Sequence, residues 1–416
     1  MLLQIYLFFL IYAPKIAEVY DLLSLISIII TAHCLLIGAV APMEVKNLRS
    51  NVVLLFSVLL IYSLLLVYLE HSPDFYQVLR FIRVIINFLG AYSLVKLYYL
   101  KYRDKMGDKI LEHLFWAIFV HAVIMLAMFI SEPIRSFVYN TLQISYERIL
   151  YSTRTSGLTT SLDALSGLQG FGVIIFPFVM HYYKGYKTLF FSTAVVIVFI
   201  SVIISGRTGM VLIALFLPMT LFLIKKIMLR KLISFGLALI FLFLLVSVVS
   251  LDQEIVHNFN ISFDRSKDFF GLGEEAGGVK SDASQKLIND YINGWPDDPL
   301  LFLSGNSTSG RTSWYFILRD PGYILDIYGV GLTGSFLIVS FYFICILHAL
   351  RCKRYHFYVG ISALIFAVQT LIIHAKVHYL LARNSFTVTA LFLVLTVYIQ
   401  RDNVRCLNII KSPKDA

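Results

Sequence analysis

The chain has 416 residues, 58% of them apolar and 14% charged, with a mean hydropathy of +0.79. That balance excludes a soluble globular domain, which needs polar residues to face water, and continuous apolar runs of about twenty residues exclude the alternating pattern of a β-barrel. The formal charge of +10 lies in short clusters between apolar runs, as in cytoplasmic loops, which argues against nucleic-acid binding.

The expected fold is an all-α polytopic membrane protein, a single integral membrane domain over residues 1–416 in contact with the lipid bilayer. Apolar runs place about 12 spans near 2–13, 21–40, 51–69, 79–100, 110–130, 164–183, 187–204, 209–224, 231–251, 319–349, 357–375 and 385–400. The first is short and lacks the basic start and small-residue cleavage site of a cleaved signal. Putting both termini in the cytoplasm gathers most basic residues inside, including Lys101, Arg103, Lys105 and Lys109, the group Lys225, Lys226, Arg230 and Lys231, and Arg351, Lys353 and Arg354. Cys34, Cys345, Cys352 and Cys406 fall within a span or on the inner side, so no disulfide framework is expected. Gly331, Gly334 and Ala363 are available for close helix packing.

Two outer loops are expected. The first covers about 131–163; the second, about 252–318 between spans 9 and 10, is acidic and carries turn signals such as GLGEEAGG and NGWPDDP. A loop of that length in a compact protein is usually functional. Its stretch DASQKLINDYINGW has the spacing of a short surface helix over the membrane mouth.

Polar groups at the edge of hydrocarbon are costly and therefore informative. Arg207, in IISGRTGMVLIALF, opens a span with Gly206 and Gly209 beside it; a helix N-terminus plus a guanidinium makes an anion site, and a tight turn with one snorkelling arginine fits equally well. Arg154 precedes the sixth span in YSTRTSGLTTSLDALSG, where Gly157, serines and threonines supply donors, or where an ordinary hydrophilic loop suffices. Two arginines at one face can grip a pyrophosphate bidentately. The close of the large loop sets Arg311, Arg319, Asp320 and Tyr323 at the outer mouth of the tenth span. Asp320, before Pro321 and Gly322, suits either a base facing a cleft or a helix cap. His374, Lys376, His378 and Arg383 form a basic outer turn, open to phosphate binding or plain solvation. Glu112, His113 and His121 lie in the fifth span as a proton relay or as polar packing. With no CxxC, HExxH, Walker loop or GxSxG, neither metal nor cofactor is expected.

Taken in order, the S-G-R-T-G turn, the preceding R-T-S-G-L loop, and G-N-S followed by R-D-P-G-Y-I-L-D-I-Y-G-V-G-L-T-G resemble the O-antigen polymerase (Wzy) family, within the O-antigen polymerase and ligase superfamily. The similarity covers roughly residues 150 to 345, and the span count extends it over the chain. The resemblance implies a metal-independent glycosyltransferase at the outer face of the cell inner membrane, acting on undecaprenyl-pyrophosphate-linked oligosaccharides. Carried over by position, Arg154 and Arg207 would hold the donor pyrophosphate, while Arg311, Arg319 and Asp320 would orient the acceptor or take its proton. A chain-length regulator protein is the partner such a polymerase implies. Ligases of the superfamily tend to carry a histidine where this chain has Asp320, which favours a polymerase. A ligase, or a transporter of lipid-linked oligosaccharides, is the alternative.

Overall fold

The computed structural model describes residues 1–16, 20–39, 41–69, 75–142, 155–159, 162–181, 183, 186–223, 257, 260–261, 282–307 and 321–411. Among them the chain is almost wholly helical, apart from a two-residue antiparallel pairing of β1 (Lys15–Ile16) with β2 (Tyr20–Asp21). The stretches Met43–Leu69, Tyr76–Ile130, Lys187–Ser205, Gly322–Cys352 and Phe357–Lys376 are long and apolar enough to cross a membrane, by length and composition. These features define an all-α membrane protein. The span expected over 231–251 lies outside the described residues; the other expected spans overlap helices, the one over 319–349 a helix that starts at Gly322 and is interrupted at Gly331.

The described residues pack as two compact units, Met1–Leu23 with Asp108–Val279, and Ser24–Gly107 with Lys280–Ala416. The first holds α1 (Leu2–Tyr12), most of α5 (Met106–Ile130), α6 (Glu132–Leu142), α7 (Leu162–Met180), α8 (Tyr186–Ser205) and α9 (Arg207–Leu223). Helix α6 occupies part of the expected 131–163 loop. An aromatic group of Phe115, Trp116, Tyr183, Phe190 and Phe191 ties α5 to α8, with ring centroids 4.0–6.4 Å apart.

The second unit holds most of α2 (Leu22–Leu36), with α3 (Met43–Leu69), α4 (Tyr76–Tyr102), α10 (Asp282–Asn293), α11 (Pro299–Ser304), α12 (Gly322–Cys352), α13 (Phe357–Lys376) and α14 (Arg383–Lys411). Phe56, Phe81, Phe341 and Phe386 are fully buried where α3, α4, α12 and α14 meet. The acidic loop supplies α10, as its spacing led us to expect. Tyr291 donates from α10 to the Ala375 carbonyl at the end of α13, 2.6 Å away, and burial pushes its hydroxyl up to about 12. Asp298 caps α11 through the Leu300 N–H at 2.9 Å, with Pro299 in the first turn.

Helix α12 is interrupted at Gly331 (φ 68°), so this glycine ends a helical segment, and it is at the same time a close-packing position, against the backbone of Leu303 and Ser304. A break frees the Tyr328 and Gly329 carbonyls, which would have bonded to residues 332 and 333. The N–H groups of Asn306 and Ser307 take those carbonyls at 2.9 Å each. Gly305 (φ 71°) permits the approach: a Cβ there would stand 2.4 Å from the Gly331 nitrogen, and one on Gly331 would stand 2.3 Å from the Leu303 carbonyl. The residues beyond the break, 332–352, are long enough to span hydrocarbon at 1.5 Å per residue. The segment before it, 322–330, carries the site described next.

Candidate functional site

Asp326 lies in the short first segment of α12 and is 1% exposed, a carboxylate enclosed by Ile324, Leu325 and Ile327 in sequence. Burying it without partners would cost several kcal/mol. Three side chains supply them. Arg80 Nη1, from the first turns of α4, donates to Oδ1 at 3.0 Å. His374 Nε2, near the end of α13, meets Oδ2 at 2.9 Å, and His378 Nε2, just past that helix, meets Oδ1 at 2.5 Å. Gln77 also accepts from Arg80 Nη1 at 3.2 Å. Every contributor sits at a helix end: the start of α4, the start of α12 and the end of α13.

The chain turn after α13 fixes the tautomers. The backbone N–H groups of Tyr379 and Leu380 both donate to His374 Nδ1, at 2.9 and 3.2 Å, so that nitrogen carries no hydrogen. The Nε2–H of His374 donates to Asp326. Gly322 lets α12 begin against this ring, since a Cβ there would stand 2.4 Å from Nδ1. Tyr323 closes the other side, edge-on to His374 at 4.6 Å, with its hydroxyl given to the Leu371 carbonyl at 3.0 Å.

His378 is held differently. Its side chain keeps 15% exposure, and its Nδ1 has no hydrogen-bond partner among the described residues. Burial first, then the Arg80 guanidinium, hold its pKa down to about 4 against the pull of Asp326, so the ring is neutral at pH 7. The cluster thus contains one compensated charge pair, one locked imidazole and one imidazole with an unused nitrogen. Arg80 Nη2 is also buried without a partner. A carboxylate with two histidines suggests a metal set, but here both Nε2 atoms point at Asp326 itself. Among the described residues no group of three such side chains is arranged to hold a metal ion.

The residues singled out by sequence are distributed otherwise. Arg154, Arg311, Arg319 and Asp320 lie outside the described residues. The cap position of α12 is taken by Pro321, which has no side-chain acceptor to cap with. Arg207 is the first residue of α9, half-buried, and makes no ion pair among the described residues. Its turn is built by Ser166 of α7, whose hydroxyl donates to the Gly206 carbonyl at 2.6 Å and accepts the Gly209 N–H at 2.8 Å. Gly157 (φ 56°) closes its loop on His121, where a Cβ would stand 2.5 Å from the ring, and Leu158 N–H donates to His121 Nε2 at 3.2 Å.

His121 also stacks on Tyr12 at 4.1 Å and meets Gln169 at 2.9 Å, while Glu112 takes Lys109 at 2.7 Å and the Tyr183 hydroxyl. Burial and that carboxylate push the Tyr183 hydroxyl up. The fifth helix thus uses these groups as polar packing between neighbours. Of the expected basic turn at 374–383, His374 and His378 fold onto Asp326. Sequence reading passed over Arg80 and Asp326, although each is a charge inside an apolar run, QVLRFIRV and YILDIYG, and such charges pair with one another.

Set against known proteins, the chain matches no family model and no curated sequence.

Proposed function

We propose that this chain is a membrane glycosyltransferase that polymerises undecaprenyl-pyrophosphate-linked oligosaccharide repeat units into a surface polysaccharide. It does so at the outer face of the cytoplasmic membrane, with about twelve spans, both termini inside and the 252–318 segment outside. The observation that carries the reading is where the Asp326 cluster lies: at helix ends, joined by the turn after α13, on the side that this topology assigns to the outer face. Helix α10 docks at the same end of α13 through Tyr291. Chemistry on a lipid-linked sugar needs charged groups at a membrane surface, and the order of the Arg154, Arg207 and Arg311–Tyr323 motifs supports the same class.

A transporter would keep ionisable groups and broken helices near the midplane, with the freed carbonyls turned to an ion. Helix α12 is broken, yet its freed carbonyls are already taken by Asn306 and Ser307. In the polymerase reading Arg207, at the start of α9 and without an ion pair among the described residues, stabilises the leaving pyrophosphate. The test is a gel profile of surface polysaccharide from a strain deleted for the gene. A single repeat unit on the lipid core in place of a ladder supports the polymerase. Long lipid-linked polymer with bare core means a ligase, and an unchanged ladder removes both.

A further inference from the structure

The geometry points to His378 as the general base of this site, with Asp326 as the positioning carboxylate that aims it. The inference rests on the glycosyltransferase reading above and names the group that takes the acceptor's proton. Three observations converge on it. Asp326 is anchored from two other directions, by Arg80 on Oδ1 and by the locked His374 on Oδ2, so it cannot turn away from His378. His378 Nε2 is committed to Oδ1 at 2.5 Å, which makes Nε2 the protonated nitrogen and leaves Nδ1 as the basic one. That Nδ1 is the ring nitrogen without a partner among the described residues, on the one imidazole of the cluster that keeps exposure. A dyad of this form differs from a plain structural knot in having an unused lone pair at its accessible end.

The step balances without a co-reactant. The acceptor hydroxyl oxygen attacks the donor's anomeric carbon, and the bond from that carbon to the pyrophosphate oxygen breaks. The bonding pair leaves with the lipid pyrophosphate. The hydroxyl proton passes to His378 Nδ1, and the imidazolium so formed donates through Nε2 to Asp326. It then returns the proton to water at the exposed edge of the ring. Arg80 is a positioning residue: it pairs with Asp326, and its charge disfavours the His378 imidazolium between turnovers. The charged and titratable groups facing His378 are Arg80 from α4, Asp326 from α12 and His374 from α13.

The experiment uses full-length protein in nanodiscs, with the lipid-linked repeat unit extracted from the deletion strain as the probe. His378→Gln is expected to lower kcat by about 10²- to 10⁴-fold with KM within about twofold. The wild type is expected to keep kcat/KM down to about pH 5 and to lose it as pH falls through about 4, and the variant to lack that limb. Arg80→Met is expected to move the limb to higher pH, because removing the guanidinium favours the imidazolium. Wild-type kcat with an unchanged acid limb in His378→Gln overturns the assignment. Where that variant fails to accumulate, wild-type protein without any acid limb in this window overturns it equally. An unchanged surface ladder on gene deletion sinks the parent reading instead, so the two failures are distinct.

Discussion

Arg207 and Arg80 look alike in sequence, each an arginine in the first turns of a long apolar helix, yet the two regions use them in opposite ways. Around Arg207 the backbone is satisfied by Ser166, which takes the Gly206 carbonyl and the Gly209 N–H, and the guanidinium is left half-exposed without an ion partner among the described residues. Around Arg80 the guanidinium is spent on Asp326 and Gln77, and the accessible chemistry passes to the neighbouring His378. An arginine whose turn is stapled by something else stays available to a ligand. One that neutralises a buried carboxylate is part of the framework, and its removal is felt as stability.

Five substitutions test that contrast. Arg207→Ala is expected to abolish the polysaccharide ladder, a loss of at least about 10²-fold, with protein level and topology unchanged. A wild-type ladder from that variant removes the pyrophosphate role, and Arg207→Lys separates bidentate geometry from charge alone. Arg80→Ala, by contrast, is expected to cost about 3–5 kcal/mol of stability at pH 8, because it strips a partner from a buried carboxylate. The loss should shrink at pH 5, where His378 can take a proton and replace the missing cation; thermal unfolding at the two pH values checks this. Gly331→Ala is expected to cost about 1–3 kcal/mol, since φ 68° and the Leu303 carbonyl both exclude a side chain. Ser166→Ala removes a helix-end partner and is expected to cost about 0.5–2 kcal/mol, with a partial loss of activity through the displaced Arg207 turn. A stability loss from Arg207→Ala as large as that from Arg80→Ala would erase the distinction.

Much of the helical layout was legible because apolar runs are long and unambiguous. The start of α9 at Arg207 and the helix in DASQKLINDYIN followed from turn residues and spacing. What stayed hidden depends on contacts far apart in the chain. Arg80 and Asp326 are separated by 246 residues, so nothing local marks them as a pair. The i, i+4 spacing of His374 and His378 read as a basic turn, open to phosphate or to solvent, because their common partner stands on another helix. The break at Gly331 was masked for a similar reason: GYILDIYGVGLTG is apolar throughout, and only the arrival of Gly305 shows that the helix stops there.

The exchange at Gly331 also bears on folding. Helix α12 cannot satisfy its own backbone, because two of its carbonyls belong to the N–H groups of Asn306 and Ser307. Those carbonyls need residues 306 and 307 in place, so the end of the α11 segment and the first segment of α12 order together. A peptide cut or an insertion between Gly305 and Ser307 would therefore damage a membrane segment that it does not itself interrupt.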